Sequence, residues 1–191
     1  LASAEAPHWD KIAARLRYLD FARHLAESEA KRGITNFVAK LRYLTAKELY
    51  GSYILENYTD QELRAASRFI VAERNHLYSY AGLDLLLSRY VIHTHHGVAL
   101  ESPQEMYLGI ALHLAMLEEP SVRMDWVRRF YDMLSLQQVT MATPTLANAR
   151  KPYHQLSSCF IDTVPDSLDG IYRSLDSFAK VSKWGGGMGP Y

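Results

Sequence analysis

The strongest constraint on this chain lies near its C-terminal end. Gln155 to Thr163 (QLSSCFIDT) reads as a buried strand. A turn, a helix to about Lys183 and the glycine run Trp184-Gly185-Gly186-Gly187-Met188-Gly189 follow. Strand, helix and glycine turn in that order open an α/β unit. One such unit cannot bury its own strand, because a parallel sheet needs neighbouring strands and helices on both faces. The tail therefore asks for more protein. Both ends read as cut or processed: the chain starts at Leu1 in LASAEAP, like the tail of an interrupted helix, and stops at Pro190-Tyr191 after the glycines.

The rest reads as helices. His8 to Lys31 places Ile12, Leu16, Leu19 and Leu25 near one face. A break at Gly33-Ile34-Thr35-Asn36 precedes a helix to about Tyr50. Thr59 stands three residues before Glu62, a capping box that starts a helix to about Ile70. Another spans Ser79 to Arg89. Tyr90 to Leu100 alternates around Gly97 and predicts a β-hairpin. Ser102, Pro103 and Glu105 then supply a cap, a proline at the first helical position and a second capping box, for a helix to about Leu117. A helix from Val122 to Leu136 follows. Val139 to Met141 reads as extended, Thr143-Pro144 to Pro152 as a turn-rich loop, and Asp166 with Asp169 as the cap of the last helix.

Composition narrows the function classes. Lys and Arg (21) equal Asp and Glu (21), so no strong field points to nucleic acid or an anionic membrane. A nucleotide would need a local site. No apolar run reaches the roughly 18 residues of a membrane span, and Glu5, Asp10 and Lys11 rule out a signal peptide. One cysteine, Cys159, excludes an internal disulfide and multi-cysteine metal sites, and a reducing cytoplasmic setting follows as the default.

Three clusters after residue 139 can carry chemistry. Ser157-Ser158-Cys159 puts a thiol at the mouth of a strand, suited to redox work or to plain core filling, the commoner fate of a free cysteine. Asp166-Ser167-Leu168 opens a helix, where N–H groups and the dipole favour phosphate but where Asp and Ser usually just cap. Gly185 to Gly189 lets backbone approach a ligand, or forms a flexible linker; it is neither a GxGxxG turn nor a P-loop. His93, His95 and His96 lack an acidic or thiol companion at ligand spacing and read as a solvated hairpin rather than a metal site.

In order, TPTLANAR, LSSCFID, DSLDGIY and SKWGGGMG resemble the large, catalytic subunit of class I ribonucleotide reductases. YILENYTDQEL, the Ser-Tyr-Ala of YSYAGLDLL and WVRRFYDML resemble the same family's helical N-domain. The resemblance implies a mainly α chain: a helical domain over 1–138, then over 139–191 the first strand–helix unit of a ten-stranded α/β barrel. It implies radical reduction of ribonucleotides to deoxyribonucleotides, with Cys159 as one member of the reducing cysteine pair. Thr143 would hold the substrate phosphate, Ser158 would contact the substrate, and Gly186 and Gly187 would line its pocket. Asp166, Ser167 and Leu168, with Lys183, would form the allosteric specificity site for a deoxynucleoside triphosphate or ATP.

The same resemblance implies no cofactor or metal on this chain and a radical supplied by a separate, metal-dependent small subunit. The other partners would be the rest of the large subunit and a thioredoxin- or glutaredoxin-type reductant, with no membrane or nucleic acid. Several family parts have no counterpart here: the radical loop, the second reducing cysteine, the C-terminal CxxC and, beyond LASAEAP, the ATP cone. The chain is thus expected to need a second chain for activity. The alternative is a non-catalytic nucleotide-binding or regulatory module derived from the reductase.

Overall fold

The computed structural model describes residues 8–191. LASAEAP, read above as the end of an interrupted helix and the remnant of a cone, lies outside the described residues. Helix α1 (His8–Lys31) contains no glycine or proline and stops at Gly33, whose φ of +68° suits a residue without Cβ. There Ile34 N–H bonds Glu29 O and Gly33 N–H bonds Ala30 O, closing a Schellman turn. Its buried face is Ala14, Phe21, Leu25 and Ser28. This corrects the expected face, since Ile12, Leu16 and Leu19 are exposed together with Trp9. The helix is apolar on two sides, and the side that carries Ala14 and Phe21 is the one packed against helix α5 and the turn that precedes it.

Helix α2 (Phe37–Ala46) is capped by Asn36, which accepts from Ala39 N–H. It ends short of Tyr50, at a turn where Glu48 takes a φ of +55°. Helices α3 (Tyr53–Asn57) and α4 (Asp60–Ser67) follow, the second with its Thr59–Glu62 capping box fully formed. A 3-10 turn (Ala72–His76) leads to α5 (Tyr80–Leu85), which widens into a π turn at Leu86–Tyr90. The expected hairpin is reduced to one antiparallel bridge, His93 to Ala99, around Gly97. Helix α6 (Pro103–Ala115) has the Ser102–Glu105 capping box and is buried along nearly its whole length. Helix α7 (Pro120–Ser135) packs along it.

Thr143 to Asn148, expected as loop, forms the short helix α8, because Pro144 presets φ in its first turn. Leu146, Ala149 and Arg150 bury themselves in the helical core. Residues 139–141 form no strand. Strand β1 (Cys159–Asp162), helix α9 (Leu168–Lys183) and strand β2 (Gly187–Pro190) complete the chain. The strands pair in parallel, so part of the glycine run is a strand rather than a linker. The α9 cap is Ser167, not Asp166. β1 is also not buried: Ile161 is 82% exposed, because α9 covers only the other face. The architecture is mostly helical with a two-stranded parallel sheet at the end, and no helix among the described residues is long and apolar enough to cross a membrane.

Candidate functional site

Side chains alternate along β1, which sends Cys159 and Ile161 to the open face and Phe160 and Asp162 toward α9. Cys159 is exposed, and the Ser158 hydroxyl lies 3.4 Å from its sulfur. In register, Cys159 stands beside Gly187 and Ile161 beside Gly189, and Gly187 N–H donates to Ser158 O at 2.7 Å. No neighbouring side chain from β2 therefore crowds the thiol on its own face.

The two glycines assigned to one pocket differ physically. A Cβ on Gly187 would meet only Ser158 O at 3.6 Å, an ordinary contact, so internal packing does not demand glycine there. A Cβ on Gly186 would fall 2.7 Å from the Phe160 ring and 2.8 Å from Val181 Cγ1. Gly186 is buried and lets α9 close on β1. Gly186→Ala is expected to destabilise the β1–α9–β2 unit by about 1–3 kcal/mol through overpacking, while Gly187→Ala shifts it by less than about 1 kcal/mol. Hydrogen exchange of the β2 amides in the two variants checks this.

Helix α8 joins this unit to the helices. Thr143 opens it, exposed, with its hydroxyl 3.4 Å from Tyr90 Oη. Thr145 Oγ1 donates to Leu156 O, and Asn148 Nδ2 donates to Gln155 O (3.1 Å) and to Trp184 O (3.3 Å). Trp184 in turn stacks on Tyr153 at 3.6 Å. Thr143 thus sits on an element tied to the entrances of both strands.

The expected effector residues divide. Asp166, Ser167 and Leu168 form the exposed turn into α9, where the Ser167 hydroxyl accepts from Gly170 N–H. Lys183 closes the same 16-residue helix, roughly 24 Å along its axis, and lies over the Trp184 ring. One effector contact near Leu168 does not reach it within this chain. Between these ends α9 exposes an apolar stripe of Leu168, Ile171, Tyr172, Leu175 and Phe178.

Sequence reasoning missed two buried clusters behind α8. Arg150 and Glu101 form a fully buried ion pair shared with Tyr50. Near it, Tyr53 Oη donates its one proton to Ala149 O at 2.7 Å, so His113 Nδ1, 3.0 Å from Tyr53 Oη, is the donor to that hydroxyl. His154 stacks edge-on against both rings. No local pattern marks either cluster, because the partners lie far apart in sequence. The histidine loop joins none of this, and no group of three or more metal-ligating side chains is assembled among the described residues.

Burial, and then the neighbouring His154, lower the His113 pKa to about 4. An unfolded histidine titrates near 6.5, so between roughly pH 6.5 and 4 the unfolded chain binds the extra proton. Stability contributed by neutral His113 is complete above that window and is lost as pH falls through it. The expected loss between pH 7 and pH 4.5 is about 2–3 kcal/mol, and a smaller one in His113→Gln, read from urea midpoints at the two pH values.

Comparison with known proteins places both parts in one family. Residues 76–154 match the ribonucleotide reductase all-alpha domain and residues 157–191 the ribonucleotide reductase barrel domain. The chain is 58% identical over 191 residues to the ribonucleoside-diphosphate reductase subunit alpha of Treponema pallidum, covering all of this chain and 22% of that protein. The corresponding subunit of Synechocystis is 35% identical over 191 residues, covering 99% of this chain and 24% of the relative. That of Helicobacter pylori is 34% identical over 186 residues, covering 97% and 22%. The chain thus spans between a fifth and a quarter of the length of these relatives.

Proposed function

Because the chain belongs to the ribonucleotide reductase large-subunit family, we propose that it supplies the helical part and the barrel opening of an enzyme reducing ribonucleotides to deoxyribonucleotides. The observation that carries this reading is Cys159 on the open face of β1 beside Gly187, a position where glycine serves no internal packing need. That arrangement leaves room for a sugar next to a thiol. Thr143 at the start of α8 would hold the substrate phosphate, Ser158 would contact the ribose, and Gly186 would shape the wall by letting α9 close.

The chemistry balances only with a second sulfur. The 2′ hydroxyl leaves as water, the 2′ carbon gains hydrogen, and two thiols lose two electrons and join as a disulfide. Cys159 is the one cysteine of this chain, so its partner thiol, like the radical that opens the reaction at the 3′ carbon, comes from other protein. The partners proposed are the remaining barrel, a small subunit whose metal chemistry generates the radical, and a thioredoxin- or glutaredoxin-type reductant, all in the cytoplasm. The uncovered Ile161 face of β1 and the apolar stripe of α9 support packing against further protein. Asp166, Ser167 and Leu168 would take the deoxynucleoside triphosphate or ATP effector; Lys183 is joined to them by the resemblance alone.

The test is turnover by the complete large subunit with its small subunit and a dithiol reductant. Effector-dependent formation of deoxyribonucleotide is expected. Tight effector binding with no reduction under any condition would support the non-catalytic, regulatory alternative instead.

A further inference from the structure

We infer that Asn148 is a positioning residue that clamps the thiol strand, the glycine strand and the Thr143 helix into one unit, a role that rests on the reductase reading above. Its carboxamide nitrogen carries two N–H groups, and both are spent on carbonyls just upstream of a strand: Gln155 O before β1 and Trp184 O before β2. Those carbonyls lie 7 and 36 residues away in sequence, so one side chain crosses from α8 to both ends of the β1–α9–β2 unit. Thr145 adds a third tie through Leu156 O, and Arg150, two residues on, roots the same segment in the helical core.

The sheet needs such a tie. Each strand has four residues, and β2 carries two glycines, a composition that specifies register weakly. A slip by one residue would replace Gly187 beside Cys159 with Gly186 or Met188 and turn the β2 side chains to the opposite faces. In either case the space beside the thiol changes. The Asn148 donors oppose that slip by holding both strand entrances at a fixed distance from α8, and hence from Thr143.

Two variants separate the donors from the shape. Asn148→Asp is nearly isosteric but sets a carboxylate against two carbonyl oxygens; Asn148→Gln keeps two donors on a chain one methylene longer. In the complete reductase, Asn148→Asp is expected to lower kcat about 30-fold while KM for the ribonucleoside diphosphate changes less than about threefold, because the phosphate is still held but the sugar is misaligned. Asn148→Gln is expected to keep kcat within about fivefold. In parallel, exchange of the Gly187 amide, bonded to Ser158 O, is expected to accelerate at least about tenfold in the Asp variant and less in the Gln variant. Wild-type kcat and Gly187 exchange in Asn148→Asp overturn the clamp, as does a Gln variant damaged as severely as the Asp variant. The exchange measurement needs no turnover, so it decides the clamp even if the wild-type protein reduces no nucleotide, a result that would instead overturn the reductase reading.

Discussion

Arg150→Ala is expected to destabilise the helical part of the chain by about 3–5 kcal/mol, a large share of the stability of a typical domain. Arg150 is 0% exposed, and each of its three guanidinium nitrogens donates a hydrogen bond. Nε donates to both Glu101 oxygens at 3.0 and 3.1 Å, Nη1 to Leu146 O at 2.8 Å, and Nη2 to Tyr90 O at 2.7 Å and to Glu101. Glu101, also fully buried, accepts in addition from Tyr50 Oη and Ile92 N–H, each at 2.8 Å. Burial on its own pulls the arginine pKa down, but the Glu101 carboxylate, with Tyr50, outweighs it and holds the pKa above its ordinary value.

Deleting the arginine would strand a carboxylate in the core and orphan two carbonyls. It would also open a cavity beside Gly109, whose missing Cβ would lie 2.9 Å from Arg150 Cδ. Urea unfolding followed by far-ultraviolet circular dichroism measures the effect. A loss below about 1 kcal/mol would mean that Glu101 finds other partners. Replacing both partners by apolar residues, as in Glu101→Leu with Arg150→Met, should recover more than half of the loss, because no charge is left buried alone. The anchor bears on the proposed site because the segment it roots carries Thr143 and Asn148.

The second large effect concerns the thiol. Cys159→Ser in the complete large subunit is expected to reduce multiple-turnover formation of deoxyribonucleotide by on the order of 10³-fold or more, since an alcohol cannot join the partner thiol in a disulfide and so the two electrons are not supplied. The fold should be indifferent, because Cys159 is exposed and, among the described residues, its sulfur hydrogen-bonds with the Ser158 hydroxyl alone. Ser158→Ala should cost much less, about tenfold, because it would remove only the proposed substrate contact and leave the thiol in place. Product formation by the complete enzyme, compared at matched melting behaviour, distinguishes chemistry from folding. Near-normal turnover in Cys159→Ser would remove Cys159 from the reducing pair.

Features with a local physical cause were legible in the chain. Both capping boxes, Thr59–Glu62 and Ser102–Glu105, depend on residues three apart, and both are formed. The C-terminal limit of α1 was legible, but its buried face was not. Leu25 was placed with Ile12, Leu16 and Leu19 but lies nearly opposite them, beside Phe21, and period alone cannot choose which of the two sides is buried; the partner helix α5 chooses. Thr143–Asn148 looked like a loop because of its turn residues, yet Pro144 starts a helix and Arg150 then draws the segment into the core. The glycine run read equally as a close backbone approach to a ligand or as a linker, because glycine disfavours strands, and pairing with β1 makes part of it a strand. The candidate site was read from the order of four motifs. The structure joins Ser158, Cys159, Gly186 and Gly187 directly and ties the Thr143 helix to them through Asn148, whereas Lys183 lies at the far end of α9 from Leu168. Arg150 with Glu101 escaped because 49 residues separate them, and neither residue carries a signal that it will be buried.

The most direct test of the account is a single-turnover experiment on the complete enzyme with no external reductant, quenched and treated with a thiol alkylating agent before peptide mapping. The account predicts that Cys159 becomes protected in proportion to the deoxyribonucleotide formed, and that it is recovered in a disulfide with a cysteine from outside this chain. Deoxyribonucleotide formed in full while Cys159 remains quantitatively alkylated would contradict it.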